Sequence, residues 1–166
     1  MVRSLGLVAV MLAAMLFIGA RYLIMPGAAD RRPAVDYSGV VQGFHEEAGM
    51  AAQVPSALPT SWRANAARLT YPTTRAVQLH IGWALPHARY AGLDEGTGDP
   101  GVLIAAVLGR RGGAVTGTTT IAGATWQQRV SDLGEEALTR QVDGATVVIT
   151  GNATDAELRL LAGSLR

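Results

Sequence analysis

From Leu5 to Ala20 the chain runs LGLVAVMLAAMLFIGA, with no charge and no proline. A helix of such residues is most stable where water is excluded, so this run limits the choices for the whole molecule. At a helical rise of about 1.5 Å per residue it spans about 24 Å. Carried through Arg21 and Tyr22 to Met25, just before Pro26-Gly27, it reaches about 31 Å, close to the hydrocarbon core of a bilayer. We therefore expect residues 1–26 to be a transmembrane anchor, with Leu5, Leu7, Val10, Leu12, Leu16, Phe17 and Ile18 among lipid tails. Arg21 would snorkel toward the headgroups and Tyr22 would sit at the interface. Membrane lipid is then the first partner.

The competing reading is a cleaved signal peptide, for which Gly27-Ala28-Ala29 supplies small residues. However, the apolar run exceeds the usual h-region of about 7–15 residues, and Arg3 alone accompanies the amino terminus. With no cysteine in the chain, there is no residue to acylate as in a lipoprotein. Gly6, Ala9 and Ala13 lie near one helical face, where small residues permit close helix approach. An Ala-rich surface facing lipid is the plainer reading of that face.

The remaining residues suffice for one domain. Net charge is +1, and all 14 basic residues are Arg. No broad basic face points to nucleic acid. The absence of Cys excludes disulfides, thiolate metal sites and cysteine nucleophiles, and leaves the redox compartment open.

Residues 27–60 are expected to be a juxtamembrane linker or stalk. Gly27–Val35 is rich in Pro, Gly and Arg. Asp36–Met50 carries a helical pattern, with Val40, Val41, Phe44 and Ala48 on one side. The prolines at 55 and 59 interrupt regular helix.

The domain is expected over residues 61–166 as α+β, a mainly antiparallel sheet of about seven strands with helices packed on it. Strands are read at Asn65–Thr70, Ala76–Trp83 and Arg89–Leu93. Four more follow at Ala114–Ile121, Thr125–Val130, Ala137–Val142 and Thr146–Thr150. Along Ala76–Trp83, Val77, Leu79, Ile81 and Trp83 share one face, and Gln78, His80 and Gly82 share the other. Asp94–Gly98 reads as a turn. Asp99-Pro100 opens a largely buried helix that stops at Gly109. Asp143-Gly144 is a hairpin turn. Thr154 with Glu157 forms a capping box for a last helix carrying Leu158, Leu161, Ala162 and Leu165 on one face.

The order of an anchor, then LPTSWRANAARL, QLHIGW, TIAGATWQQR, TVVITG and AELRLLAGSLR resembles an actinobacterial single-pass family catalogued as domain of unknown function 4245. The most specific pieces are Trp62-Arg63-Ala64-Asn65, Gly123 with Trp126, and Gly151 followed by Glu157-Leu158-Arg159. The resemblance implies an anchored α+β domain, usually placed outside the cytoplasmic membrane, and implies no reaction. The positive-inside count disagrees, setting Arg3 against Arg21, Arg31 and Arg32. Pro59 shortly before Trp62 also resembles the opening of the PsbP-type sandwich, at the level of fold alone.

Candidate chemistry is sparse. His45, His80 and His87 have no standard metal spacing. His45-Glu46-Glu47 lacks the second His of a zinc helix, since position 49 is Gly. No serine lies in a G-x-S-x-G context. Gly96-Thr97-Gly98 precedes a helix, but Asp94, Glu95 and Asp99 make it unsuited to phosphate. A solvated acidic turn is the plainer reading there than a calcium site. Asn152-Ala153-Thr154 reads as the turn before the last helix. Arg110 and Arg111 fit a helix end, or an acidic partner or lipid headgroup.

We expect no cofactor, no metal and no catalytic residue. The candidate ligand or partner surface is Trp62, Arg63, His80, Trp83, Arg110, Arg111 and Trp126, with core packing as the default for each Trp. The functional expectation is a membrane-anchored interaction domain, an accessory subunit or assembly factor of a cell-envelope membrane complex with membrane-protein partners. The alternatives are a small-ligand or lipid-binding domain, with an apolar pocket beside Trp83 or Trp126, and an uncharacterised hydrolase.

Overall fold

A computed structural model describes residues 33–109 and 112–166, so the expected anchor and Arg110-Arg111 lie outside the described residues. Among the described residues no helix is long and apolar enough to cross a membrane.

The chain forms a first helix, α1 (Ser38–Ala48), then strands β1 (Arg63–Thr73), β2 (Ala76–Leu85) and β3 (Arg89–Gly96). Helix α2 (Pro100–Leu108) leads to β4 (Ala114–Ile121), β5 (Ala124–Val130), β6 (Glu136–Val142) and β7 (Ala145–Thr150), and α3 (Asp155–Ser164) follows. The fold is α+β, with one antiparallel sheet in the order β1-β2-β3-β7-β6-β5-β4. After α2 the chain crosses to the far edge, then returns strand by strand until β7 pairs with β3.

Local chemistry explains the element ends. Asp99 accepts hydrogen bonds from the Gly101 and Val102 amides, and Pro100 opens α2. Thr154 and Glu157 form the expected capping box of α3. The hairpin turns at Ala122-Gly123 and Asp143-Gly144 have positive φ at both residues, 49° and 81° in the first, 50° and 88° in the second. That is type I′ geometry, whose twist matches the flanking strands.

Alternation sorts the side chains into two layers. On one face Leu79, Ile81, Trp83, Leu93, Val147 and Ile149 join Phe44 of α1 and Leu158 and Leu161 of α3 in the main core. On the other, Ala137 and Val148 pack with Leu103 and Leu108 of α2. One face is thus covered by two helices and the other by one.

From Ala34 onward the expected stalk is instead part of the domain's compact unit, and residues 27–32 lie outside the described residues. Phe44 has no exposed surface. The Val35 amide donates to the Ala64 carbonyl at 2.9 Å. Val54 and Arg166 exchange backbone hydrogen bonds at 3.2 and 3.1 Å, and the Ser56 amide donates to the Ser164 carbonyl at 2.8 Å. The prolines prevent helix but leave the chain free to pair as an extended segment with the residues after α3.

Candidate functional site

On the face that carries α2, β2 and β3 place His80 opposite Asp94, and Gly82 opposite Gly92. His80 Nδ1 lies 2.9 Å from Asp94 Oδ1, which also accepts from Gln78 Nε2 at 3.2 Å. With Nδ1–H donating to the carboxylate, Nε2 is left to accept from the Tyr90 hydroxyl, 3.0 Å away. The Tyr90 ring reaches this position by lying over Gly82 and Gly92; a Cβ at Gly82 would overlap the ring and its hydroxyl. Glycine is required here for close approach.

The row Asp94–His80–Tyr90 holds the imidazole at both ring nitrogens, with the Tyr90 ring seated over the paired glycines. Burial pushes the Tyr90 phenol above its ordinary value, and the Asp94 charge adds to this while Arg68 opposes it. A phenol held that way is a hydrogen-bond donor; a nucleophile would need the opposite shift. Among the described residues no three His, Asp or Glu side chains gather as metal ligands would.

Two grooves flank α2 on the same face. One, of about 280 Å³, lies toward β1 and β2 and is lined by Pro72, Ala76, Gln78, Val102, Leu103 and Ala106 among others. The other, of about 320 Å³, lies toward β5 and β6, with Ile104, Thr125, Gln127, Thr139, Gln141 and Thr146 in its walls. Both present mainly apolar surface, the first more strongly so, and the second is lined by Arg140 as well as by its threonines and glutamines. The Arg129 guanidinium beside the second is engaged by Thr139, Gln127 and the Gly112 carbonyl.

The helix-paired face hides a charged group. Glu95 has no exposed surface, although it lies among Leu79 and Val147 by register. Its Oε2 accepts from the Gln53 amide at 2.7 Å, and the Gln53 side chain accepts from Arg140 at 2.6 Å. The Arg140 guanidinium stacks 4.6 Å above the Trp126 ring. Glu95 Oε1, Arg140 Nε and Trp126 Nε1 are buried with no partner among the described residues. Burial pushes the Glu95 carboxyl up to about 7, against the opposing pull of the Gln53 amide and Arg140.

The family described as Protein of unknown function (DUF4245) matches residues 1–165. The chain belongs to this family. A search of curated proteins finds no match. The family's match includes the apolar opening run and the described domain up to Leu165.

Within this DUF4245 domain the sequence-derived surface does not hold together as one patch. Trp83 is 2% exposed and meets Tyr37 edge-on, with ring centroids 6.1 Å apart, and Trp126 is wholly buried. Both point into the main core, because strand alternation sends them to the face opposite His80. Neither ring lines either of the two grooves beside α2. Trp62 is half-buried against the same core, and Arg63 is half-buried at the start of β1. His80 is buried in the polar row, whereas His45 and His87 are exposed on separate elements. Arg110 and Arg111 lie outside the described residues.

The acidic turn is also corrected. Asp94 and Glu95 belong to β3, are 4% and 0% exposed, and point to opposite faces. They cannot share a cation, and Asp99 caps α2. Sequence reading missed Tyr90, Glu95, Arg140 and the groove beside Thr125 and Gln127. The signal was present for Glu95, since Ala91, Leu93 and Glu95 alternate onto one face, but the following Gly96-Thr97-Gly98 drew the strand end too early.

Proposed function

We propose that this chain is a non-catalytic, membrane-tethered binding domain, an accessory subunit or assembly factor of a cell-envelope membrane complex. Its N-terminal run is the tether, and the domain lies outside the cytoplasmic membrane. The observation that carries the binding role is the unequal covering of the sheet: two helices close one face, while the nine-residue α2 leaves grooves on both its sides. Val102 stands 58% exposed at one of them. Tethering raises the local concentration of such a surface near membrane partners and lets modest contacts suffice.

The test is purification of the full chain, tagged after Arg166, in mild detergent beside Val102→Arg. A stoichiometric membrane-protein companion that is lost from the variant is the expected result. Recovery of the chain alone, or a companion retained by the variant, sinks the reading. A single cysteine in place of exposed Leu133, probed on intact cells with an impermeant thiol reagent, reports the side of the membrane. Protection until lysis would place the domain in the cytoplasm.

A second reading, a small-ligand or lipid-binding domain, is favoured by the mainly apolar lining of the groove beside Val102 and Leu103. It predicts native mass spectrometry of the purified chain with a bound apolar molecule, absent from Val102→Arg.

A further inference from the structure

The two edges of the sheet are built differently. The β1 edge carries Arg63, Arg68 and Pro72 and two register shifts, and the chain itself covers part of it where Val35 bonds to Ala64. These are the usual devices that stop an edge from pairing with another chain. The β4 edge has the sequence AVTGTTTI, with no charge and no proline. Its single irregularity lies between Val115 and Gly117, at the end away from the turn.

The hairpin geometry says which groups of β4 face outward. Ile121 and Ala124 flank the two-residue turn, so they form a hydrogen-bonded pair. Pairs then alternate: Thr119 with Trp126 is hydrogen-bonded, while Thr120 with Thr125 and Thr118 with Gln127 are not. The amides and carbonyls of Thr118 and Thr120 therefore point away from β5. Among the described residues no backbone hydrogen bond from another element reaches them.

We propose that this edge is a homodimer interface, in which β4 pairs antiparallel with β4 of a second copy to form one continuous sheet. A two-fold axis at Thr119 sets Thr118 against Thr120 of the other copy, Thr119 against Thr119, and Gly117 against Ile121. The outward groups of Thr118 and Thr120 then meet as hydrogen-bonded pairs, so the parity of the hairpin matches this register. β4 itself carries no charge, and Arg159, which the axis at Thr119 brings near its own copy, is paired with Asp155 at 2.6 Å in each copy. Threonine opposite threonine is a favourable cross-strand pair. The interface is isologous, and it closes at two copies.

The test uses the purified full chain in detergent, with molar mass measured by light scattering and folding checked by tryptophan fluorescence. The chain has no cysteine, so one introduced thiol gives an unambiguous link. At Thr119→Cys the two thiols fall on a non-hydrogen-bonded pair with Cα atoms about 4.5 Å apart, within disulfide range. This variant gives up the hydrogen bond that Arg159 of α3 donates to the Thr119 hydroxyl at 2.7 Å, so its folding is checked alongside. We expect a dimeric wild-type chain. Thr119→Cys should oxidise to a linked dimer at least roughly tenfold faster than Thr125→Cys, on the neighbouring strand. Thr120→Pro removes only an outward amide and should weaken dimerisation by roughly tenfold or more. If Thr120→Pro does not fold, Thr118→Lys, at an exposed position, is read in its place. A monomeric wild-type chain overturns the proposal. So does a dimer that a folded edge variant leaves intact, the result expected if the N-terminal segment alone drives association.

Discussion

Glu95→Gln probes the least expected feature of the domain, a carboxyl group wholly buried on the core side of the sheet. Its pKa is pushed from an ordinary 4.5 to about 7. Between those values the folded chain holds a proton that the unfolded chain has released. Stability from this group is therefore fully present below about pH 4.5, falls as pH rises, and levels off above about pH 7. The gap between 4.5 and about 7, at about 1.4 kcal/mol per pH unit, amounts to about 3 kcal/mol. Glutamine keeps an oxygen to accept the Gln53 amide and cannot ionise. The stability of the variant relative to wild type should thus rise by about 3 kcal/mol from pH 4.5 to pH 8. Asp36 and Glu157, both held below their ordinary values, are present in both proteins and cancel in the difference. The assay is equilibrium urea unfolding of the full chain in mild detergent. Trp62, Trp83 and Trp126 all lie in the domain, so their fluorescence reports its unfolding. With a urea slope of about 1–3 kcal/mol per M, the relative midpoint should move by about 1–3 M. Parallel pH profiles for the two proteins would refute the argument.

Other substitutions test the rest of the architecture by the same unfolding measurement. Phe44→Ala should cost about 3–5 kcal/mol, as expected for an aromatic ring lost from a closed core; a loss under about 1 kcal/mol would return α1 to the status of a stalk. Tyr90→Phe keeps the ring over Gly82 and Gly92 but removes the donor to His80, and should cost about 1 kcal/mol. Gly82→Ala displaces that ring and should cost more than Tyr90→Phe; the reverse order would contradict the close packing. Thr154→Ala removes half the capping box of α3 and should cost about 1 kcal/mol; an unchanged midpoint would mean that the box adds nothing to the helix start.

Much of this fold was written in short-range chemistry. The strands beyond α2, the hairpin turn at Asp143-Gly144, the Asp99-Pro100 start and the Thr154–Glu157 box depend on residues within a few positions of one another. Dihedral preference and local hydrogen bonding decide such features wherever the segment later packs. Alternation along β2 likewise separates Trp83 from His80 whichever strands pair beside it.

The tertiary structure alone decided what long-range contact controls. The pairing of β3 with β7 joins strands separated by α2 and three other strands. The capture of residues 34–60 depends on a core built by Ile81 and Trp83 and on the tail after α3. The burial of Glu95 depends on Leu79, Val147, Gln53 and Arg140, drawn from four separate segments. An acidic residue beside glycines reads as a solvated turn until those neighbours assemble around it. The cost of removing it from water is set by that assembled shell, which no single stretch of the chain contains.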